Sequence, residues 1–260
     1  MIIKGTRQDV IISEQKGFSL LELAIVLMIV GTLMSGVLIG VRQSTDNARR
    51  SNARNQLMQV EEAIYGFAQS YGRLPCPATA DSGGFEAHGG SPSYNCTQWH
   101  GFVPVATLGL TAAVNQDGLM VDPWLNPFRY SVTDDAGLND RNFTEASELA
   151  NLFAGLNSTG SSLPSLLCIA TAINCGGTII SNTSPAVILS MGPNWATFTS
   201  ANEHENASGT TLVNGANSYS VSNTNNFVAA DYSEELFDDQ LVWLSPHVLF
   251  NRMISAGKLP

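Results

Sequence analysis

The sequence predicts an α+β protein: one very long N-terminal helix, then a loop-rich globular domain built on an antiparallel sheet. Three observations predict it. Residues 18–41 are an apolar run interrupted by a single charge, Glu22. The run passes without a proline into a polar segment carrying one apolar stripe. That stripe is Ala53, Leu57, Val60, Ile64, Phe67 and Tyr71, at alternating spacings of four and three. Beyond residue 72, short β-branched or aromatic runs alternate with turn formers, the pattern of strands.

The two halves of the apolar-then-amphipathic stretch read as one helix over about 18–71, roughly 80 Å long at about 1.5 Å per residue. Gly72 is placed to cap it, and Pro75 and Pro77 forbid its continuation. Its first half, 18–41, is long enough to cross a bilayer, for which about 20 apolar residues suffice. Its second half, 42–71, needs a globular domain to cover the stripe, and 72–260 supplies one. Residues 1–17 form a polar leader with Lys4, Arg7 and Lys16. No small-residue cleavage site follows the apolar run, so a retained anchor is expected rather than a removed signal peptide. Flanking charge does not set the orientation, because Arg42, Arg49, Arg50 and Arg54 balance the cations of the leader. Glu22 is the anomaly: a carboxylate inside lipid costs about 2.5–3.5 kcal/mol at mid-bilayer and calls for a positive partner.

Composition bounds the function. The 260 residues carry a net charge of −10 and only 13% charged side chains. This disfavours a nucleic-acid partner, which needs a basic patch. The four cysteines, Cys76, Cys96, Cys168 and Cys175, lack zinc spacing and fit two disulfides in an oxidising compartment. Of three connectivities, the sequence-local one is expected, Cys76 with Cys96 and Cys168 with Cys175. Along the chain, 74–127 reads as a long loop region with a semi-extended piece at 101–110. Strands are expected at 128–132, 166–171, 186–191, 227–230 and 241–244, and partial helix at 139–156. Residues 200–226 read as loop or hairpin. A last helix starts at the N-cap candidate Ser245 and Pro246, presents Leu249, Phe250, Met253 and Ile254, and stops at Gly257.

Lys16-Gly17-Phe18-Ser19-Leu20-Leu21-Glu22 resembles the processing site of type IV prepilins and type II secretion pseudopilins. The resemblance implies a pilin-like fold and cleavage between Gly17 and Phe18 by a prepilin peptidase, which then N-methylates Phe18. It implies that Glu22, fifth in the mature chain, is the assembly glutamate. The physics agrees: cleavage creates an α-amino cation at Phe18 that can meet Glu22 of its own or a neighbouring chain. The resemblance covers 16–71. A weaker match is Asp122-Pro-Trp-Leu-Asn-Pro-Phe-Arg-Tyr130, similar to the segment that starts the sheet in major pseudopilins, with Leu125 replacing the usual glycine. The absence of a helix-kinking proline is pseudopilin-like, and the large outer domain points to a minor or accessory subunit.

Chemical motifs are sparse. Asp134, Asp135, Asn139 and Asp140 suggest a calcium loop, but their spacing is not that of an EF-hand and a solvated acidic loop is expected, with no metal ligand assigned. Asp238 and Asp239 read as a turn. His88, His100, His204 and His247 are scattered, and neither G-x-S-x-G nor H-E-x-x-H occurs. Trp99, Trp124, Trp195 and Trp243 read mostly as core, Trp243 above all, with sugar stacking at an adhesive tip as the sharper alternative. The expected function is a structural, non-enzymatic subunit without cofactor. It is anchored once in the bacterial inner membrane with its C-terminal domain in the periplasm, and assembled into a type IV pilus or type II secretion pseudopilus. Its partners are prepilin peptidase/N-methyltransferase, other pilin or pseudopilin subunits and the inner-membrane assembly platform. A tip adhesin and a membrane-anchored enzyme are the alternatives.

Overall fold

The structure, a computed structural model, describes residues 17, 19–89, 96–133, 143–159, 166–195, 200–207, 211–213, 216–218, 225–233 and 236–260. Two compact units are present, Met1–Ala48 and Arg49–Pro260. Helix α1 spans Leu20–Tyr71. In the first unit its described side chains are exposed, among them Leu20, Leu27 and Met28. No helix among the described residues is long and apolar enough to cross a membrane. Of the expected span 18–41, Phe18 and the side chains of 35–41 lie outside the described residues. What remains, 20–34, is shorter than the roughly 20 residues a span uses.

In the second unit the α1 stripe is the backbone of the core. Ala53, Leu57, Val60, Ile64, Phe67 and Ala68 are buried, whereas Tyr71 is exposed and stacks on Phe67 with ring centroids 4.4 Å apart. The buried stripe thus ends one turn before the helix does. Gly72 then takes φ +74°, a left-handed conformation that only glycine adopts without strain, and its N–H donates to the Ala68 carbonyl.

A four-stranded antiparallel sheet follows, in the order β1 (His100–Phe102), β2 (Arg129–Val132), β5 (Ala186–Ser190), β9 (Gln240–Trp243). Strand β5 is buried on both faces, which is why it reads as an unbroken apolar run rather than an alternating one. Ala186 and Ile188 join the core with Leu57, Val60 and Ile64, while Val187 packs with Leu167, Ile169 and Phe227. Those last residues belong to a second sheet, β4 (Gly176–Ser184), β3 (Leu167–Ala172), β8 (Asn226–Val228). Its β3–β8 pair is parallel, an exception to the antiparallel expectation. Each large apolar side chain sealed in this way contributes about 1.5–3 kcal/mol. Helix α2 (Ala146–Thr159) brings Leu149 and Phe153 to the main core, and α4 (Pro246–Ser255) brings Leu249, Phe250 and Met253. Ser245 occupies the N-cap of α4, but its hydroxyl makes no capping bond. Instead its N–H donates to the Tyr65 hydroxyl at 2.9 Å, pinning α4 to α1.

Two elements depart from expectation: β4, which pairs with β3 in the second sheet, and α3 (Ala201–Asn206). The rest of 200–226 includes a hairpin of β6 (Thr211–Val213) and β7 (Ala216–Ser218), in line with the loop or hairpin expected there. Trp243 is half-buried at the end of β9, not sealed in the core. Trp99, Trp124 and Trp195 are likewise only partly covered. The cysteines pair as Cys76–Cys96 and Cys168–Cys175, with no free thiol. The first closes the loop after α1, which is held a second time by Glu86. Both Glu86 carboxylate oxygens accept from the Arg73 guanidinium, at 2.8 and 2.9 Å, and Oε2 also accepts from the Cys76 N–H.

Candidate functional site: the processing junction and a buried acidic cluster

Gly17 is exposed, with open space around its Cα. Ser19 starts the helix. Its hydroxyl accepts from the Leu21 N–H at 3.3 Å and its carbonyl from the Leu23 N–H at 3.1 Å. This satisfies donors that have no partner inside a helix. Glu22 lies exposed in the first turn, where the partial positive charge of the helix end favours a carboxylate. Phe18 and the leader 1–16 lie outside the described residues. So do the calcium-loop candidates Asp134, Asp135, Asn139 and Asp140.

The segment beginning at Asp122 is a tight turn fastened to the end of β5. Asp122 Oδ1 accepts from the N–H groups of Trp124 and Asn126, both at 2.9 Å, and Oδ2 from the Ser190 hydroxyl at 2.7 Å. The Asn126 side-chain amide donates to the Gly192 carbonyl at 2.6 Å. Leu125 closes the turn at φ +70°, so it takes the left-handed backbone that a glycine at this position would supply at lower cost.

Around that anchor the chain gathers acids that its sequence does not announce. Asp122, Glu203, Asp238 and Asp239 are all buried, with Asn206 among them. Asp238 and Asp239, read from the sequence as a turn before a strand, are buried directly in front of β9. Burial pushes Asp122 above the usual carboxylate range, against the pull of its three hydrogen bonds. Asp238 and Asp239 border an open cavity of about 510 Å³ with Arg50, Arg54, Tyr232 and Trp243, and the Arg50 guanidinium lies over the Tyr232 ring. No group of three metal-ligating side chains forms among the described residues. Elsewhere, His100 Nδ1 pairs with the Ser131 hydroxyl at 2.9 Å, and both residues are buried. Burial, and then the Arg129 charge, push the imidazole down to about 4. Neither residue borders the cavity, so this Ser–His contact is a packing feature of β1 and β2.

One sequence signal for α3 was present. Ser200-Ala201-Asn202-Glu203 has the Ser-x-x-Glu spacing of a helix start, and the Ser200 hydroxyl accepts from the Glu203 N–H at 3.2 Å. The acids themselves carried no signal, since adjacent aspartates are ordinarily solvated.

The family model for the prokaryotic N-terminal methylation motif matches residues 12–38. Neither the curated proteins nor the solved structures yield a match. The matched segment holds Gly17, Ser19 and Glu22 at the exposed start of α1, in a chain whose remainder is mixed helix and sheet. That motif, over residues 12–38, supports a type IV prepilin- or pseudopilin-type protein.

Proposed function

We propose that the chain is a structural subunit, cut after Gly17 by prepilin peptidase, N-methylated on Phe18 and assembled into a type IV pilus or a type II secretion pseudopilus. Before assembly it is anchored once in the bacterial inner membrane by the apolar half of α1, with the domain after residue 72 in the periplasm. It works without catalysis. Other pilin or pseudopilin subunits and the inner-membrane assembly platform are its partners. Its large outer domain favours a minor or accessory position. The observation that carries this reading is the methylation motif over 12–38: a peptidase site, an apolar segment and a lone acid in that order. Glu22 serves as the counter-charge of the amine that cleavage creates, and a buried charge of this kind left unpaired costs about 3–5 kcal/mol.

The test is a pair of substitutions in the producing cell. Gly17→Ala leaves the leader attached, so the chain runs larger on a blot and its N-terminus by mass spectrometry is unmethylated. Mature-sized, methylated protein from that variant would overturn the reading. Glu22→Ala is processed normally but is depleted at least about tenfold from sheared filaments, the loss expected for removing more than about 1.4 kcal/mol of assembly energy. Wild-type incorporation would remove Glu22 from the assembly contact.

A further inference from the structure

Four carboxyl side chains converge in the outer domain, each more than nine-tenths buried: Asp122, Glu203, Asp238 and Asp239. They come from separate elements, the turn before β2, α3, and the approach to β9. Asp122 is met by three donors from its own turn and β5, and Glu203 Oε1 accepts from the Asn194 amide at 2.9 Å. The pair in front of β9 is less well provided. Asp238 Oδ1 is buried without a hydrogen-bond partner, pressed against Gly192 so closely that a Cβ there would stand 2.5 Å away. Asp239 Oδ2 accepts from Asn206 Nδ2 at 2.8 Å. Asn206 is a three-way clamp. Its Nδ2 also donates to the Val228 carbonyl at 2.9 Å, and its Oδ1 accepts from the Val228 N–H at 2.7 Å. One side chain thereby joins the end of α3 to β8 and to Asp239.

We propose that Asp238 and Asp239 are a proton-held latch: protonated, they let Asn206 seat α3 and β8 against the start of β9, and ionised, they release them. Two adjacent carboxylates facing Glu203 and Asp122, all largely buried, repel one another, and a proton is the smallest group that relieves this. Burial is the main cause that pushes Asp238 up to about 6 and Asp239 up to about 8. Glu203 raises both and Asp122 raises Asp238. Arg50 lowers Asp238, while the Asn206 bond and Arg129 lower Asp239. The sign follows. Both folded values lie above the ordinary 3.8, so the folded state holds the extra protons, and the contribution to stability is lost as pH rises through about 6 and then about 8.

The experiment is hydrogen exchange on the full chain in detergent, from below pH 6 to above pH 8, corrected for the intrinsic pH dependence of exchange. Strand β2 serves as the internal reference. In the wild type, protection of 201–206 and 226–228 falls by at least about tenfold relative to β2, since each pH unit across a titrating group shifts the opening equilibrium by up to about tenfold. Asp239→Asn keeps an oxygen to accept from Asn206 and removes the charge, so the fall toward about pH 8 disappears and only the Asp238 step near about 6 remains. Asp238→Asn, the second variant, loses part of the dependence. Parallel behaviour of β2 and the latch segments would overturn the proposal, as would wild-type pH dependence in both variants. Calcium chloride restoring protection at the higher pH would overturn it too, because the cluster would then hold a cation in place of a proton.

Discussion

At Leu125 the backbone has φ +70° and the side chain is 77% exposed. A leucine there carries the left-handed strain, about 1–2 kcal/mol, with no burial in return. Asparagine tolerates this region. Leu125→Asn therefore raises stability by about 0.5–1 kcal/mol in urea unfolding, and a decrease would mean that the leucine makes a contact worth more than its strain. Gly192 is the opposite case. It sits at φ +62°, and any Cβ would meet the Asp238 carboxylate. Gly192→Ala lowers stability by about 2 kcal/mol or more, because strain and overlap add. At this scale the sequence was readable where the signal is local. Gly17, Phe18 and Glu22 form a contiguous motif, whereas the burial of Asp238 and Asp239 depends on Gly192, α3 and β8 arriving from elsewhere in the chain.

Among the elements, α1, β2, β5, β9 and α4 could be read from the residues because period or punctuation marked each one. The stripe from Ala53 to Phe67 is buried as its spacing implies, and β5 is apolar from Ala186 to Leu189 because both faces are covered. Strand β4 and helix α3 were hidden for a physical reason. β4 is a mostly exposed strand of Gly, Thr, Ser and Asn around Ile179 and Ile180, with three register shifts against β3. α3 is six residues whose stability comes from buried Glu203 and Asn206 rather than from an apolar face. The loop after α1 was expected to need a fastener, and it has two, a disulfide and the Arg73–Glu86 pair. Burial alone would raise the Glu86 carboxyl, but the Arg73 guanidinium and the Cys76 N–H outweigh it and hold it below its ordinary value. Both side chains are 12% exposed. Glu86→Ala removes the carboxylate from a covered guanidinium that keeps only weaker contacts such as the Leu74 carbonyl, and destabilises by about 3 kcal/mol, at the low end for breaking a buried pair. The loss appears as faster proteolysis of 73–96 before global unfolding. Unchanged cleavage would show that Cys76–Cys96 suffices alone.

For the molecule as a whole, these groups pull stability in opposite directions along the pH axis. Glu86, held below 4.5, contributes stability that is lost as pH falls through that region. His100, buried neutral and pushed from 6.5 down to about 4, does the same over its own window, because only the unfolded chain takes up its proton there. Asp238 and Asp239 act the other way, and their contribution is lost as pH rises toward about 6 and about 8. Between about pH 4 and 6 the two aspartates outweigh His100 and stability declines, and from about 6 to 6.5 His100 and Asp239 cancel and the slope is shallow. Above pH 6.5 His100 has finished titrating, Asp238 is mostly ionised, and Asp239 dominates. The thermal midpoint of the full chain in detergent therefore declines from about pH 6.5 to about pH 8 and levels off beyond it. Asp239→Asn flattens that decline and also removes the Asp239 share of the loss below pH 6.5. His100→Gln abolishes the opposing effect below pH 6.5, so the decline there steepens while the part above pH 6.5 is unchanged. A wild-type midpoint that rises between pH 6.5 and 8 would contradict the burial of Asp239 as a protonated acid. A flat profile in both the wild type and Asp239→Asn would place the side chain in water.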